Sequence, residues 1–500
     1  MTTKVENLKQ VLAEIRDLQY IANIIDWDQE TYMPPEGAKE RGEQAGTIAR
    51  LIQERFTSDE LLRALEEAEK ETAHLDPDST EACLVKVTRR EVDKRVKVPA
   101  SYYQELSEVK AVAYSAWAQA RSEDNFEKFR PYLEKIVDLR RQFAAYFAPY
   151  EHVYDPLLAE FEPGLKTKEV KAIFEQLRPQ QVELIRQITS RPQVDDSALH
   201  QHFDEQKQWE FGVEVITKFG YDWKRGRQDR TAHPFTTTFG LNDVRITTRI
   251  LPDYIGSALF STMHECGHAL YELGFDPAFA RTPLADANSL VLHESQSRLW
   301  ENLVGRSLPF WQGFYPRLQE LFPAQLGNVP LQSFYKGINK VEPSFIRVEA
   351  DEATYNLHIM LRLEIEIALT AGELEARDLP EAWNARMKEY LGLTPPNNAK
   401  GVLQDVHWSH GYIGYFSTYA LGNLVSVQLW ETIQKEIPDL SDQIRRGEFR
   451  PLLSWLREKL HRHGAKYEVQ EMVKRITGSP ITPQPYVRYL RQKYGEIYGF

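Results

Sequence analysis

Cysteine is nearly missing from these 500 residues: only Cys83 and Cys266 occur. Two cysteines cannot staple a chain of this length, which excludes a disulfide-built scaffold and leaves the fold to rest on a buried core. Long apolar runs are missing too. No stretch approaches the roughly 20 apolar residues that a helix needs to cross a bilayer. The opening MTTKVENLKQVLAEIRDL is a charged amphipathic pattern, without the apolar centre of a signal peptide. Positive charge is in deficit: 61 Lys plus Arg stand against 73 Asp plus Glu, a formal net charge of −12. Such a surface is a poor partner for nucleic acid or an anionic membrane. Internal repeats, low-complexity tracts and flexible linkers are absent as well. The expectation is a cytoplasmic protein whose residues 1–500 form a single domain.

Helical pattern fills most of what is there. Segments near 4–25, 36–70, 100–122, 126–150 and 168–190 are rich in Glu, Leu, Lys, Arg and Ala, with apolar residues three and four apart. The same pattern returns near 289–305, 346–371, 411–435 and 484–497. Pro34-Pro35, Pro395-Pro396 and the run Ser479 to Pro485 mark loops. The fold class is therefore mainly α: a large helical body in lobes around a deep groove. One stretch differs. Thr231 to Ile250, TAHPFTTTFGLNDVRITTRI, alternates β-branched residues around a turn at Gly240 to Asp243, which predicts a β-hairpin. An edge strand there can hold an extended peptide by its main chain, or merely brace the next element.

That next element carries His264, Glu265, Cys266, Gly267 and His268, an H-E-x-x-H motif in a proline-free helical stretch. Residues four apart share a helix face, so His264 and His268 can hold one metal ion, with Glu265 placed to take a proton from water. Cys266 is turned roughly 100–200° away by helical geometry and reads as a core residue. A catalytic zinc needs a third protein ligand. Asp276, Asp286, His293 and Glu294 lie downstream, and Glu294, on the helical stretch LVLHESQSRL, is the choice. His293 then packs or supports. In the thermolysin-like pattern an Asp four residues after the ligand Glu orients a ligand His; here that position is Arg298. The orienting carboxylate must come from elsewhere, with Asp351 as candidate. The metal-site core spans about 230–425.

The reaction also needs donors for the oxyanion that develops on a scissile carbonyl. His407, His410, Tyr412, Tyr415 and Tyr419 crowd into GVLQDVHWSHGYIGYFSTYALGN. A Tyr stripe on a helix is ordinarily core packing, but clustering with two His favours function.

These residues belong to an ordered set. His233-Pro234-Phe235 gives HPF; Asp243, Arg245 and Thr247 give D-x-R-x-T; His293 to Gln296 give H-E-S-Q. Ile346, Arg347, Ala350 and Asp351 give I-R-x-x-A-D; Gly401, Gln404, Asp405, His407 and Trp408 give G-x-x-Q-D-x-H-W. With WDQETYMP at 27–34 and YGEIYG at 494–499, the whole chain resembles the M32 metallocarboxypeptidases of the Taq carboxypeptidase type. The resemblance implies a nearly all-α fold with a small sheet, a deep groove holding the metal, and a homodimer. It implies removal of single residues from peptide C-termini with broad specificity, poor action on C-terminal proline, and zinc replaceable by cobalt. The architecture is similar to that of the neurolysin-like oligopeptidases, and the register of Gly411-Tyr412 then puts oxyanion stabilisation on His407 and Tyr419, with Tyr415 and Tyr412 close by as substrate contacts.

A carboxypeptidase must recognise a terminal carboxylate, and the planar fork of arginine suits that. Arg347 is the chosen clamp and Arg245 its rival; for either, the competing explanation is a structural ion pair. His233 either lines the groove or is structural. His461 and His463, in LREKLHRHGAK, read as surface residues, and the acidic run near 59–72 as a solvated helix face. The expected function is a zinc metallocarboxypeptidase acting on peptides. The alternatives are an endo-acting zinc oligopeptidase and, from another class, a non-catalytic helical binding protein.

Overall fold

The Thr3 side chain accepts a hydrogen bond from the Glu6 N–H, and from there the chain runs as one helix, α1, over Lys4–Thr31. The structure is a computed structural model and describes residues 3–287 and 289–500. Three more helices follow: α2 (Ala38–Phe56), α3 (Asp59–Thr72) and α4 (Thr80–Val96). The continuous helix expected over 36–70 is broken at Thr57-Ser58, because Ser58 caps α3 by accepting from the Leu61 N–H. The four helices close a core of their own, with Leu8, Leu12, Ile15, Phe56, Leu65 and Leu84 packed on Phe279 and Leu284. A second, larger core runs through the remaining helices to the last one, Gln484–Tyr498. Helix accounts for 67% of the chain, with one small sheet, as the sequence predicts. Among the described residues, no helix is long and apolar enough to cross a membrane.

The predicted hairpin is present. β2 (Thr236–Thr238) and β3 (Val244–Thr248) pair antiparallel, closed by the Phe239 N–H bonded to the Asp243 carbonyl. A third strand, β1 (Gln228–Arg230), pairs parallel with β3 without a sequence signal of its own, since three residues reading Gln-Asp-Arg carry no alternation. The order β1-β3-β2 leaves β2 at an edge. β3 buries Val244 and Ile246 and packs on the motif helix, Ile255–Glu272.

Two helices start later than their patterns suggest. The stretch 346–371 is helical only over Tyr355–Ala371, because the Asp351 carboxylate captures the N–H groups of Ala353 and Thr354 and ends a loop there. The stretch 411–435 is helical only over Ser417–Glu436. Gly411 and Gly414 have φ of +72° and +107°, incompatible with a helix. A Cβ on Gly414 would sit 2.3 Å from the Leu157 carbonyl oxygen. The first shortened segment frees a loop that carries Arg347, and the second frees 411–416, which follows the short turn His407–His410.

Candidate metal centre

The motif helix lies against the helix Leu290–Arg298, which is covered in turn by Ser417–Glu436. Two glycines permit this spacing. A Cβ on Gly267 would stand 2.7 Å from the Gln296 carbonyl oxygen, and one on Gly422 2.7 Å from Glu294 Cγ. Glu294 is thus pressed between two helices. The N-terminus of its own helix is held by Glu162, which accepts from the Ser289 hydroxyl at 2.7 Å and the Val291 N–H at 2.6 Å.

His264 and His268 each have one ring nitrogen engaged. His264 Nδ1 donates to Glu301 Oε2 at 2.9 Å, and His268 Nδ1 to the His293 carbonyl oxygen at 3.0 Å. Those bonds fix the tautomers and leave both Nε2 lone pairs facing inward. Each Nε2 lies 3.6 Å from Glu294 Oε2. The three ligand atoms fall within 4.8 Å of one another, a His-His-Glu set that fits a divalent metal. Glu265 is buried beside them, and the Thr236 hydroxyl of β2 donates to its Oε2 at 2.7 Å. Burial pushes its carboxyl above the usual range, against the pull of His264 and Thr236.

The carboxylate that orients His264 is Glu301, not Asp351. Glu301 lies seven residues beyond Glu294, two helical turns along the same face. It lies within the wider π-helical turn Leu299–Gly305, a feature common at functional sites. Asp351 instead binds the backbone of Glu342, Ala353 and Thr354. His293 is not a ligand: it stacks on His268 at 4.2 Å and bonds Glu272 at 3.0 Å. Cys266 is fully buried, as expected of a core residue. His461 departs from the surface expectation. It is fully buried, donating to Gln296 at 2.9 Å behind the Glu294 helix, because the turn after Lys459 folds it inward. His463 is half-buried against Tyr467.

A second constellation is built on Asp405. Arg347 donates to its Oδ1 through Nε and Nη2, at 3.1 and 2.8 Å, and Arg362 Nε donates to Oδ2 at 2.7 Å. Despite burial, the two cations hold the Asp405 carboxyl far below its usual range. His407 Nδ1 stands 3.9 Å from the same carboxylate, without a hydrogen-bond partner among the described residues. Burial, helped by Arg347 and Arg362, lowers His407 to about 4, so the ring is neutral near pH 7. His407 stacks on Tyr415 at 5.6 Å, and the Tyr419 hydroxyl donates to the Tyr415 hydroxyl at 3.2 Å. Tyr412 is 45% exposed and stands at the outer end of this row, while His410 stacks on Tyr114 away from it. The loop is anchored by buried Glu366, which accepts from Trp408 Nε1 at 2.8 Å and from the Gly414 N–H at 3.0 Å.

Both clamp candidates already hold a carboxylate. Arg347 is 5% exposed, and its remaining Nη1 donates to the Tyr355 hydroxyl at 3.0 Å. Arg245 makes two 2.8 Å bonds to Asp243 and lies 4.5 Å from the Trp27 ring. Strand alternation turns it to the sheet face opposite Thr236 and Glu265, because Thr236 pairs with Ile246 and Thr237 with Arg245. His233 is exposed, and its ring makes no hydrogen bond or ion pair among the described residues.

The family model described as Carboxypeptidase Taq (M32) metallopeptidase matches residues 7–494. The chain belongs to the M32 metallocarboxypeptidase family. It is 41% identical to Thermostable carboxypeptidase 1 of Thermus thermophilus, over 99% of each chain. It is 38% identical to Carboxypeptidase 1 of Bacillus subtilis, over 95% of each. The crystal structure of an M32 carboxypeptidase from Deinococcus radiodurans superposes with a TM-score of 0.97 at 40% identity, covering 99% of this chain and 100% of that one. Membership makes this M32 protein a peptide hydrolase that works with a divalent metal, for which His264, His268 and Glu294 are the fitting donors.

Proposed function

We propose that this M32 enzyme is a zinc-dependent carboxypeptidase that removes residues one at a time from peptide C-termini with broad specificity. The observation that carries the proposal is the convergence of His264 Nε2 and His268 Nε2 on Glu294 Oε2, with Glu265 buried alongside. Two imidazoles and one carboxylate are a catalytic zinc set, in which cobalt can substitute. A divalent metal held there supplies a Lewis acid that polarises the scissile carbonyl and lowers the pKa of water to about 7.

The chain's own groups do the rest. Thr236 holds Glu265 Oε2, leaving Oε1 to take the proton of the attacking water and deliver it to the leaving amine. Neutral His407 and the hydrogen-bonded pair Tyr419 and Tyr415 donate to the developing oxyanion, and Tyr412 contacts substrate at the mouth. Edge strand β2 offers its outward main-chain groups to an extended peptide, and His233 borders that strand. Arg347 serves as the terminal clamp by exchanging its bond to the Tyr355 hydroxyl for an ion pair with the peptide carboxylate. Arg245 is the weaker choice, on the far face of the sheet. The enzyme acts as a homodimer in the cytoplasm on peptide substrates, a reading supported by family resemblance, acidic charge and scarce cysteine.

Glu265→Gln tests the chemistry. The amide keeps the shape but cannot accept the water proton, so bound metal is retained while turnover falls by about 10²–10⁴-fold. Loss of metal together with activity would make Glu265 structural. One observation favours a second reading, an endo-acting oligopeptidase: neither arginine fork is free.

A further inference from the structure

Four residues beyond Glu294 stands Arg298, a cation in a position where an acid can steer a ligand histidine. Its side chain is 16% exposed and lies 4.9 Å from the Tyr355 ring. Nε donates to Glu294 Oε1 at 2.7 Å, while Nη1 donates to Glu301 Oε2 at 3.1 Å. That same Glu301 oxygen accepts from His264 Nδ1 at 2.9 Å. One guanidinium therefore spans the third ligand and the carboxylate that orients the first. It occupies Glu294 Oε1, so that Oε2, 3.6 Å from both imidazole Nε2 atoms, is the oxygen left facing them. The Ser297 hydroxyl, bonded to the Glu294 carbonyl oxygen at 2.8 Å, also lies 3.1 Å from Oε2.

We propose that Arg298 is a positioning residue of the metal site, whose forked side chain restricts Glu294 to ligation through a single oxygen and locks that geometry to the orientation of His264. The inference rests on His264, His268 and Glu294 being the ligands. Two physical effects of Arg298 oppose each other. Its positive charge repels a bound cation, so a role through charge alone predicts tighter metal binding in Arg298→Ala and ordinary binding in Arg298→Lys. Its fork orients two carboxylates, so a geometric role predicts weaker binding in both, since the lysine ammonium is a point charge that cannot reproduce the paired bonds. Losing such an outer partner costs about 10–100-fold in metal affinity.

The experiment titrates the full-length metal-free protein with Zn2+ against a competing chelator, for wild type, Arg298→Ala, Arg298→Lys and Glu294→Ala. Thermal unfolding of each metal-free protein is followed alongside. The expected result is a Kd raised about 10–100-fold in both arginine variants. The visible spectrum of the Co2+-loaded Arg298→Lys protein should also shift towards the weaker bands of higher coordination, as Glu294 brings its second oxygen to the metal. Wild-type affinity in Arg298→Lys, tighter binding in Arg298→Ala, or lowered unfolding temperatures with unchanged Kd would each overturn the proposal. A Glu294→Ala protein that binds Zn2+ as wild type does would instead remove the ligand assignment on which the proposal stands.

Discussion

Glu294 answers to several neighbours at once: two imidazoles on one side, Arg298 and Ser297 on the other, and Gly422 above. At this scale the site is a matter of which lone pair is free. His264 and His268 spend Nδ1 on the protein and keep Nε2; Glu265 spends Oε2 on Thr236 and keeps Oε1. The same logic reaches the oxyanion donors. Tyr419 gives its proton to Tyr415, so the Tyr415 proton is the one left to point outward. Tyr415→Phe and His407→Ala should each remove a donor and lower kcat by about 10²–10³-fold, while Tyr419→Phe, which only releases a lone pair of Tyr415, should cost less. KM should change little, because these bonds strengthen only as charge develops. Steady-state kinetics decides: mutants altered in KM alone would reassign Tyr415 and His407 to substrate binding.

Between elements, the decisive contact is helix against helix without an intervening side chain. Gly267, one of the two unspecified positions in H-E-x-x-H, lets the motif helix approach the Gln296 and Ser297 backbone. Gly267→Ala gains up to about 1 kcal/mol of helix propensity. Against that, forcing a methyl onto the backbone of a packed neighbour costs about 1–3 kcal/mol. Backbone cannot swing aside as a side chain can, so the clash should win, leaving a net loss of up to about 2 kcal/mol. Urea unfolding of metal-free protein measures it, and weakened metal binding should accompany it as the Glu294 helix shifts. Wild-type stability and affinity would mean that the close approach is slack. This scale also separates what the sequence makes legible from what it does not. His264, Glu265, His268 and the hairpin at 236–248 follow local periodicity and can be read directly. Glu301 was legible in principle, two turns beyond Glu294 on one face. The Asp405 constellation was not: its partners Arg347 and Arg362 lie 58 and 43 residues away and meet only through tertiary packing. The late helix starts at Tyr355 and Ser417 were hidden because a loop-forming Asp351 and two left-handed glycines override a helical apolar pattern.

Over the whole molecule, buried neutral histidines tie stability to pH. His461 is pushed down to about 3 by burial, and His407 to about 4, from an ordinary value of 6.5. The unfolded chain binds these protons first, so the contribution of these two histidines is full above pH 6.5 and drains away as pH falls from there towards 3–4. Asp405, held low by its two arginines, adds a loss at still lower pH as it protonates. Between neutral and acid pH the melting temperature of wild type should therefore drop further, relative to its neutral value, than that of His461→Gln, which keeps a donor for Gln296. Equal slopes for the two proteins would mean that His461 does not carry this linkage.

If the metal centre serves to remove single residues from a free C-terminus, the lengths of the products reveal it. Peptides of mixed sequence, each with a free and an amidated C-terminus, are incubated with the Zn2+-loaded enzyme, with and without chelator, and the products are followed by mass spectrometry. The account predicts a ladder of single-residue losses from the free peptides, far slower cleavage of the amidated ones, and no products with chelator. Internal cleavage of free and amidated peptides at equal rates would contradict it and leave an oligopeptidase built on the same metal centre.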